Sequence, residues 1–146
     1  IDGTLSLGMG LAIELGKLVL VSGDLALLHD SNGWLFAYPQ RPKLLVILID
    51  NGGGGIFQKI GVNGVYKGAF DDLFKMPQNV DHLELASSYG IPYRPVASFD
   101  DLLPAIEWGL SQEGPALLRV CTDSTSDTLL RQDIRDCCEE YLQSLF

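Results

Sequence analysis

The stretch "LLVILIDNGGGGIF", residues 44–57, decides the fold. Apolar residues run unbroken from Leu44 to Ile49. Strict alternation would mark a strand with one wet face. An unbroken short run marks a strand covered on both faces, the habit of parallel sheets. The run stops at Asp50-Asn51, and glycines fill positions 52–55. An earlier run behaves the same way. "LVLVS", residues 18–22, ends at Gly23-Asp24 inside "VSGDLALLHD", residues 21–30. Between the two runs, residues 25–38 read as a helix with Leu25, Leu28, Trp34, Leu35 and Tyr38 at apolar positions, and "PQRP" at 39–42 reads as a loop. Strand, helix and strand within about 30 residues make a βαβ unit, which crosses over right-handed.

The same alternation continues outward. Residues 4–16, "TLSLGMGLAIELG", predict a closely packing helix that ends at Gly16. Residues 52–71 are glycine-rich and predict a long loop of the functional or mobile kind. A helix starts at the box Asp81-x-x-Glu84 and stops at Tyr89-Gly90. A strand at about 93–97 follows, then a helix capped by Ser98-x-x-Asp101, then a buried strand, "PALLRVCT", at 115–122. The last helix spans about 126–145, with Leu130, Ile134, Cys137, Cys138, Tyr141, Leu142 and Leu145 at helical spacing. The fold class expected is α/β: one doubly wound, mostly parallel sheet with helices on both faces, occupying residues 1–146 as a single domain. The opening Ile1-Asp2-Gly3 lacks an initiator Met and reads as a piece of a longer polypeptide.

Composition narrows the function classes. The chain carries a formal net charge of −9, a field that repels nucleic acid and anionic membrane. No apolar run is long enough for a membrane span. Cysteines stand only at 121, 137 and 138, an odd number with no C-x-x-C, so neither a disulfide framework nor a zinc site is expected, and a reducing compartment fits. An anionic ligand would need a metal ion or backbone N–H groups to overcome the charge. There is no G-x-x-x-x-G-K-[ST], and Gly8-x-Gly10 lacks the third glycine and the preceding strand of a dinucleotide fingerprint.

In doubly wound sheets ligands bind beyond the carboxyl ends of the strands. Asp24 stands just past one such end, and Asp50-Asn51 just past the next. If the two strands lie close, these side chains converge. Mg²⁺ takes oxygen ligands in octahedral geometry, commonly one or two carboxylates with substrate phosphates. Asp24 offers a carboxylate and Asn51 an amide oxygen. The glycine run, with Gly53 and Gly54 at its centre, lets a carbonyl turn inward and a diphosphate come close. The helix opening near Leu25 turns free N–H groups to the same place. The reading is one metal–diphosphate site.

Gly23-Asp24, followed after 26 residues by Asn51-Gly52-Gly53, resembles the thiamine-diphosphate motif usually written GDG…NN. In that family the Asp, the final Asn and the carbonyl two residues further on hold Mg²⁺ or Mn²⁺, which the resemblance carries to Asp24, Asn51 and Gly53. "IDGTLS", "GDLALLHDSNG", "IDNGGGGIF" and "MPQNVDH", in this order over residues 1–82, resemble more closely the C-terminal domain of the MenD family. These are the 2-succinyl-5-enolpyruvyl-6-hydroxy-3-cyclohexene-1-carboxylate synthases of menaquinone and phylloquinone biosynthesis. Residues 83–146 match mainly in architecture. The resemblance implies that Gly23, Leu25 and Ala26 form the diphosphate-binding turn, and that Ile56 and Phe57 line the thiazolium and substrate pocket. It implies an enzyme that decarboxylates 2-oxoglutarate and adds the remaining four-carbon unit to isochorismate, with thiamine diphosphate as electron sink. It places no catalytic residue in this chain, because the activating glutamate belongs to a pyrimidine-binding domain of a partner subunit. The full-length protein is then expected to be a homodimer or homotetramer, cytoplasmic or, in a plant, plastidic, and the 146 residues alone to show no turnover.

Three departures from the family pattern bear on the site. Ala26 replaces a common Ser or Thr and removes a hydroxyl. Asp50-Asn51-Gly52 replaces a run of Asn and sets a second carboxylate beside the metal site. Gln58-Lys59-Ile60 replaces Leu-Leu-Pro after the pocket. Two alternatives compete: another thiamine-diphosphate 2-oxo acid decarboxylase or acetolactate-synthase-like enzyme, and a non-catalytic module of the same fold. Blander roles compete at single residues. Asp24 suits a helix cap, Asn51-Gly52 a turn, and Ile56 and Phe57 a core. Asp50 is expected to face solvent or make a hydrogen bond rather than ligate. His29 is expected to be structural, bonded to Asp30 or the next turn, His82 to be exposed at a helix start, and Cys137 and Cys138 to pack. Asp133, Asp136, Glu139 and Glu140 read as a solvated helix face.

Overall fold

The computed structural model describes residues 1–59 and 69–145. Helix α1, Thr4–Leu15, leads into β1, Leu18–Gly23, and then α2, Asp24–His29. Strand β2, Leu44–Asp50, is followed by a short helix α3, Ile56–Lys59. A single π-type turn covers Asp71–Lys75. Helix α4, His82–Ser88, strand β3, Tyr93–Val96, helix α5, Phe99–Leu110, strand β4, Ala116–Cys121, and helix α6, Ser124–Gln143, complete the chain.

The strands form one sheet in the order β1-β2-β4-β3, every pairing parallel. The unbroken run 44–49 is therefore central, between β1 and β4. Its Leu44, Val46 and Leu48 point to one face and join Leu5, Met9, Leu27, Trp34, Leu83, Ala86 and Leu117 in the larger core. Leu45 points the other way, against Ala105, Ala116 and Leu118 under α5. Each fully buried Leu contributes on the order of 1.5–3 kcal/mol of transfer free energy. The doubly wound α/β fold stands.

Helix signals read from the sequence hold in detail. Gly16 closes α1 with φ +79°. The Asp81 carboxylate accepts the Leu83 and Glu84 N–H groups, and Ser98 accepts that of Asp101. Other expectations are corrected. The helix expected over 25–38 is a six-residue α-helix followed by a 3₁₀ segment, Ser31–Ala37. The cause lies in "HDSNG". Asp30 turns back to accept the Ser6 N–H at 2.7 Å and its hydroxyl at 2.9 Å. A Cβ at Gly33 would sit 2.9 Å from the Ser6 nitrogen. The chain must tighten there to pass α1. His29 does not bond Asp30; its Nδ1 faces Asp2 at 3.6 Å on the surface. Cys137 and Cys138 are exposed rather than packed, as are Leu130, Ile134, Tyr141 and Leu142 on the same helix. In the loop expected over 52–71, residues 56–59 are helical, and residues 60–68 lie outside the described residues, as does the Ile60 of the third family departure.

Candidate functional site

Register brings the two strand ends level. Gly23 of β1 stands beside Ile49 of β2, and Asp50 beside Cys121 of β4. Asp24 opens α2, and the glycine turn leaves β2 next to it. The Asp24 side chain is buried, 6 % exposed. Its Oδ1 accepts the Leu25 N–H at 2.8 Å, and its Oδ2 accepts the Gly53 N–H at 2.6 Å. The second bond joins the end of one strand to the turn after the other. It is short, as expected where the acceptor is charged.

The glycines are required by what packs on them. Gly53 has φ +121°, and a Cβ there would strike the Lys75 carbonyl. A Cβ at Gly54 would strike the Phe74 carbonyl, and one at Gly55 would come within 2.8 Å of the Asn51 side-chain nitrogen. The Gly54 N–H donates to the Lys75 carbonyl at 2.6 Å, and the Gly55 N–H to the Gly53 carbonyl at 2.8 Å. Phe57 meets Phe74 edge-on at 5.5 Å, and Phe74 stacks on Phe70 at 5.9 Å. The Asp71–Lys75 turn thus closes one side of the site. The sequence reading assigned the glycines to ligand approach. In the fold their missing side chains also make room for this second segment.

A cavity of ≈ 300 Å³ opens between the strand ends. Gly23, Asp24, Leu25, Ala26, Asn51, Gly53, Gly54, Ile56 and Phe57 all line it, together with Ile1 and Gly55. The structure therefore brings together every residue singled out from the sequence for the cofactor. Gly55 was legible in the glycine run; Ile1 carried no local signal. The volume lies at the low end of small-molecule sites, which suits one end of a cofactor.

The donor set fits a hard cation. Asp24 Oδ1 and Oδ2 each accept one N–H and keep a free lone pair, and so does the Gly53 carbonyl. With the Asn51 amide these are oxygen donors of the kind Mg²⁺ takes. Among the described residues no group of three or more His, Cys, Asp or Glu is placed to hold a metal. A cation here would draw on one carboxylate and neutral oxygens.

Two polar groups stand near the site without lining the cavity. Asp50 does not face solvent. Its Oδ2 accepts the Arg119 Nε–H at 2.8 Å, the two side chains being 12 % and 28 % exposed. Arg119 was missed, because nothing local in "LLRVC" marks it. The hydrogen bond is one of the two roles expected of Asp50, whereas the expected exposure of His82 is corrected: the residue is 5 % exposed, and its Nδ1 has no hydrogen-bond partner among the described residues. Burial pushes the imidazole below its usual value, while the Asp50 and Asp24 charges pull it back up. Burial and the two carboxylate charges thus act on the ring in opposite directions, and burial prevails.

Residues 3–120 match the family described as thiamine pyrophosphate enzyme, C-terminal TPP binding domain, and the chain belongs to that family. It is 59 % identical over 145 residues to a 2-succinyl-5-enolpyruvyl-6-hydroxy-3-cyclohexene-1-carboxylate synthase of Prochlorococcus marinus (strain MIT 9313), covering 99 % of this chain and 25 % of that protein. It is 55 % identical over 140 residues to the synthase of the same name from Synechococcus sp. (strain CC9311), covering 96 % and 24 %. The chain thus spans about a quarter of the length of these relatives. Among solved structures, benzoylformate decarboxylase from Polynucleobacter necessarius superposes with a TM-score of 0.71 at 19 % identity, over 82 % of this chain and 23 % of that one. That likeness is one of fold. Among the described residues no helix is long and apolar enough to cross a membrane.

Proposed function

We propose that this member of the thiamine pyrophosphate enzyme family is the diphosphate- and metal-holding domain, residues 1–146, of a longer carboligase. The full-length enzyme decarboxylates 2-oxoglutarate and transfers the resulting four-carbon unit to isochorismate, the reaction of the synthases it resembles. The observation that carries the reading is the 2.6 Å bond from the Gly53 N–H to Asp24 Oδ2, inside a cavity that all nine candidate residues line.

Asp24, Asn51 and the Gly53 carbonyl would hold Mg²⁺ or Mn²⁺, which in turn offsets the charge of a diphosphate against an acidic chain. Gly23, with no heavy atom within 4 Å of where its Cβ would lie, leaves room on that side. Leu25, whose N–H is taken by Asp24 Oδ1, lines the cavity, and Ala26 presents a first-turn N–H group of the kind that helix geometry leaves without an intrahelical backbone acceptor. Ile56 and Phe57 give the cavity an apolar wall. Bound thiamine diphosphate supplies the electron sink that an amino-acid side chain lacks. The proton-handling glutamate comes from a pyrimidine-binding domain of a partner subunit, so the active form is a homodimer or homotetramer, working in the cytoplasm or, in a plant, the plastid.

The test is calorimetric titration of thiamine diphosphate into the full-length protein, with and without Mg²⁺, followed by turnover with 2-oxoglutarate and isochorismate. Mg²⁺-dependent binding with formation of the joined product is the expected outcome. Absence of metal-dependent binding refutes the reading, and binding without that product moves the chain to a different 2-oxo acid enzyme.

A further inference from the structure

Asp50 is tied on three sides. Its Oδ2 accepts the Arg119 Nε–H at 2.8 Å, its Oδ1 accepts the Gly52 N–H at 3.3 Å, and its carbonyl accepts the Thr122 N–H at 2.9 Å. The register explains the pairing. Leu48 stands beside Arg119 and Asp50 beside Cys121, so Asp50 and Arg119 are diagonal neighbours on one face of adjacent strands. The pair is largely shielded, and a half-removed buried pair leaves an uncompensated charge. One bond of the set lands on Gly52, between Asn51 and Gly53.

We propose that the Asp50–Arg119 pair is a positioning device for the cation site: it neutralises the second strand-end carboxylate and fixes the turn that carries Asn51 and Gly53, leaving Asp24 as the single anionic ligand. The inference rests on the cofactor-binding reading above. Without Arg119, a bare carboxylate would sit one residue from Asn51, and the group that holds the Gly52 turn would itself be unheld. Removing both charges together restores neutrality. The chemistry therefore calls for the pair or for neither member, and a lone Asp50 is the damaging case.

The experiment measures two quantities in the full-length protein: the Kd of thiamine diphosphate at saturating Mg²⁺, and the Mg²⁺ concentration for half-maximal binding. Arg119→Met is expected to weaken both about tenfold, the scale seen when partners that orient metal ligands are lost. Asp50→Asn combined with Arg119→Met is expected to return both to within about threefold of wild type, a rescue that a merely structural loss would not show. Arg119→Lys, which keeps the charge but not the Nε geometry, falls between. If Arg119→Met does not fold, the double variant decides: wild-type binding supports the proposal and tenfold weaker binding overturns it. Equal binding by Arg119→Met and wild type also overturns it. Asp24→Ala serves as the control. Retained binding in that variant, or none in wild type, brings down the cofactor-binding reading itself and the proposal with it.

Discussion

The ends of β1 and β2 look alike in sequence and differ in the fold. Each is an apolar run that stops at an aspartate beside glycine, Gly23-Asp24 in one and Asp50-Asn51-Gly52 in the other. Asp24 is buried, accepts only backbone N–H groups among the described residues, and lines the cavity. Asp50 is shielded too, but a guanidinium from β4 takes it up. A carboxylate held by neutral donors keeps its charge available to a cation, whereas one paired with Arg119 is already satisfied. The role of a strand-end acid is thus set by what the neighbouring strand offers, and two matching motifs need not make two ligands.

The sharpest way to break the contrast is at Asp24. Asp24→Ala removes the anionic donor and the grip on the Gly53 turn, and titration of the full-length protein should show Mg²⁺-dependent cofactor binding weakened at least about 100-fold, roughly 2.7 kcal/mol or more. Gly53→Ala attacks the other end of the same bond. A Cβ there meets the Lys75 carbonyl at φ +121°. Strain and overlap should cost about 2–3 kcal/mol, read as a lower denaturant midpoint with unchanged slope. His82, on which both carboxylate charges act, comes next. Burial holds its folded pKa below the usual value. The unfolded chain therefore takes up a proton near pH 6.5 that the folded one refuses until lower pH. The stability tied to His82 is complete above about pH 6.5 and drains as pH falls below it. His82→Phe should flatten that decline, seen as a few degrees less loss of Tm on going from neutral to mildly acid buffer. Ala26→Ser is the mildest change. It restores a hydroxyl beside the Asp24 turn and should tighten cofactor binding by no more than about tenfold, one hydrogen bond's worth. A loss instead would place residue 26 outside the diphosphate contacts.

Much of this was legible before the fold. The run 44–49 announced a central strand because a strand wet on one face cannot be apolar at every position. The caps at Asp81 and Ser98 were legible because a cap and the N–H group it bonds lie within three residues. The approach of Asp24 to Gly53 followed from one right-handed crossover and from the rule that ligands gather at strand ends. Nine of the residues lining the cavity could be listed, all but Ile1 and Gly55, since a motif resemblance and two strand ends pointed to the same place. The helix expected over 25–38 failed because Asp30 prefers a partner 24 residues earlier, Ser6, which no helical period reports. Cys137 and Cys138 failed because an amphipathic spacing states which residues share a face, but not whether anything packs against it.

The sequence by itself determined the alternation of elements, the carboxyl ends at which a site could form and the oxygen-bearing residues proposed to hold a cation, because these depend on contacts close along the chain or on one crossover. Only the tertiary structure decided that β4 lies between β2 and β3, that Arg119 reaches Asp50 across 69 residues, and that His82 is buried. The physical reason is that strand order and cross-strand pairing are chosen by the burial of the whole sheet, where an individual polar residue has little weight and leaves no periodic trace.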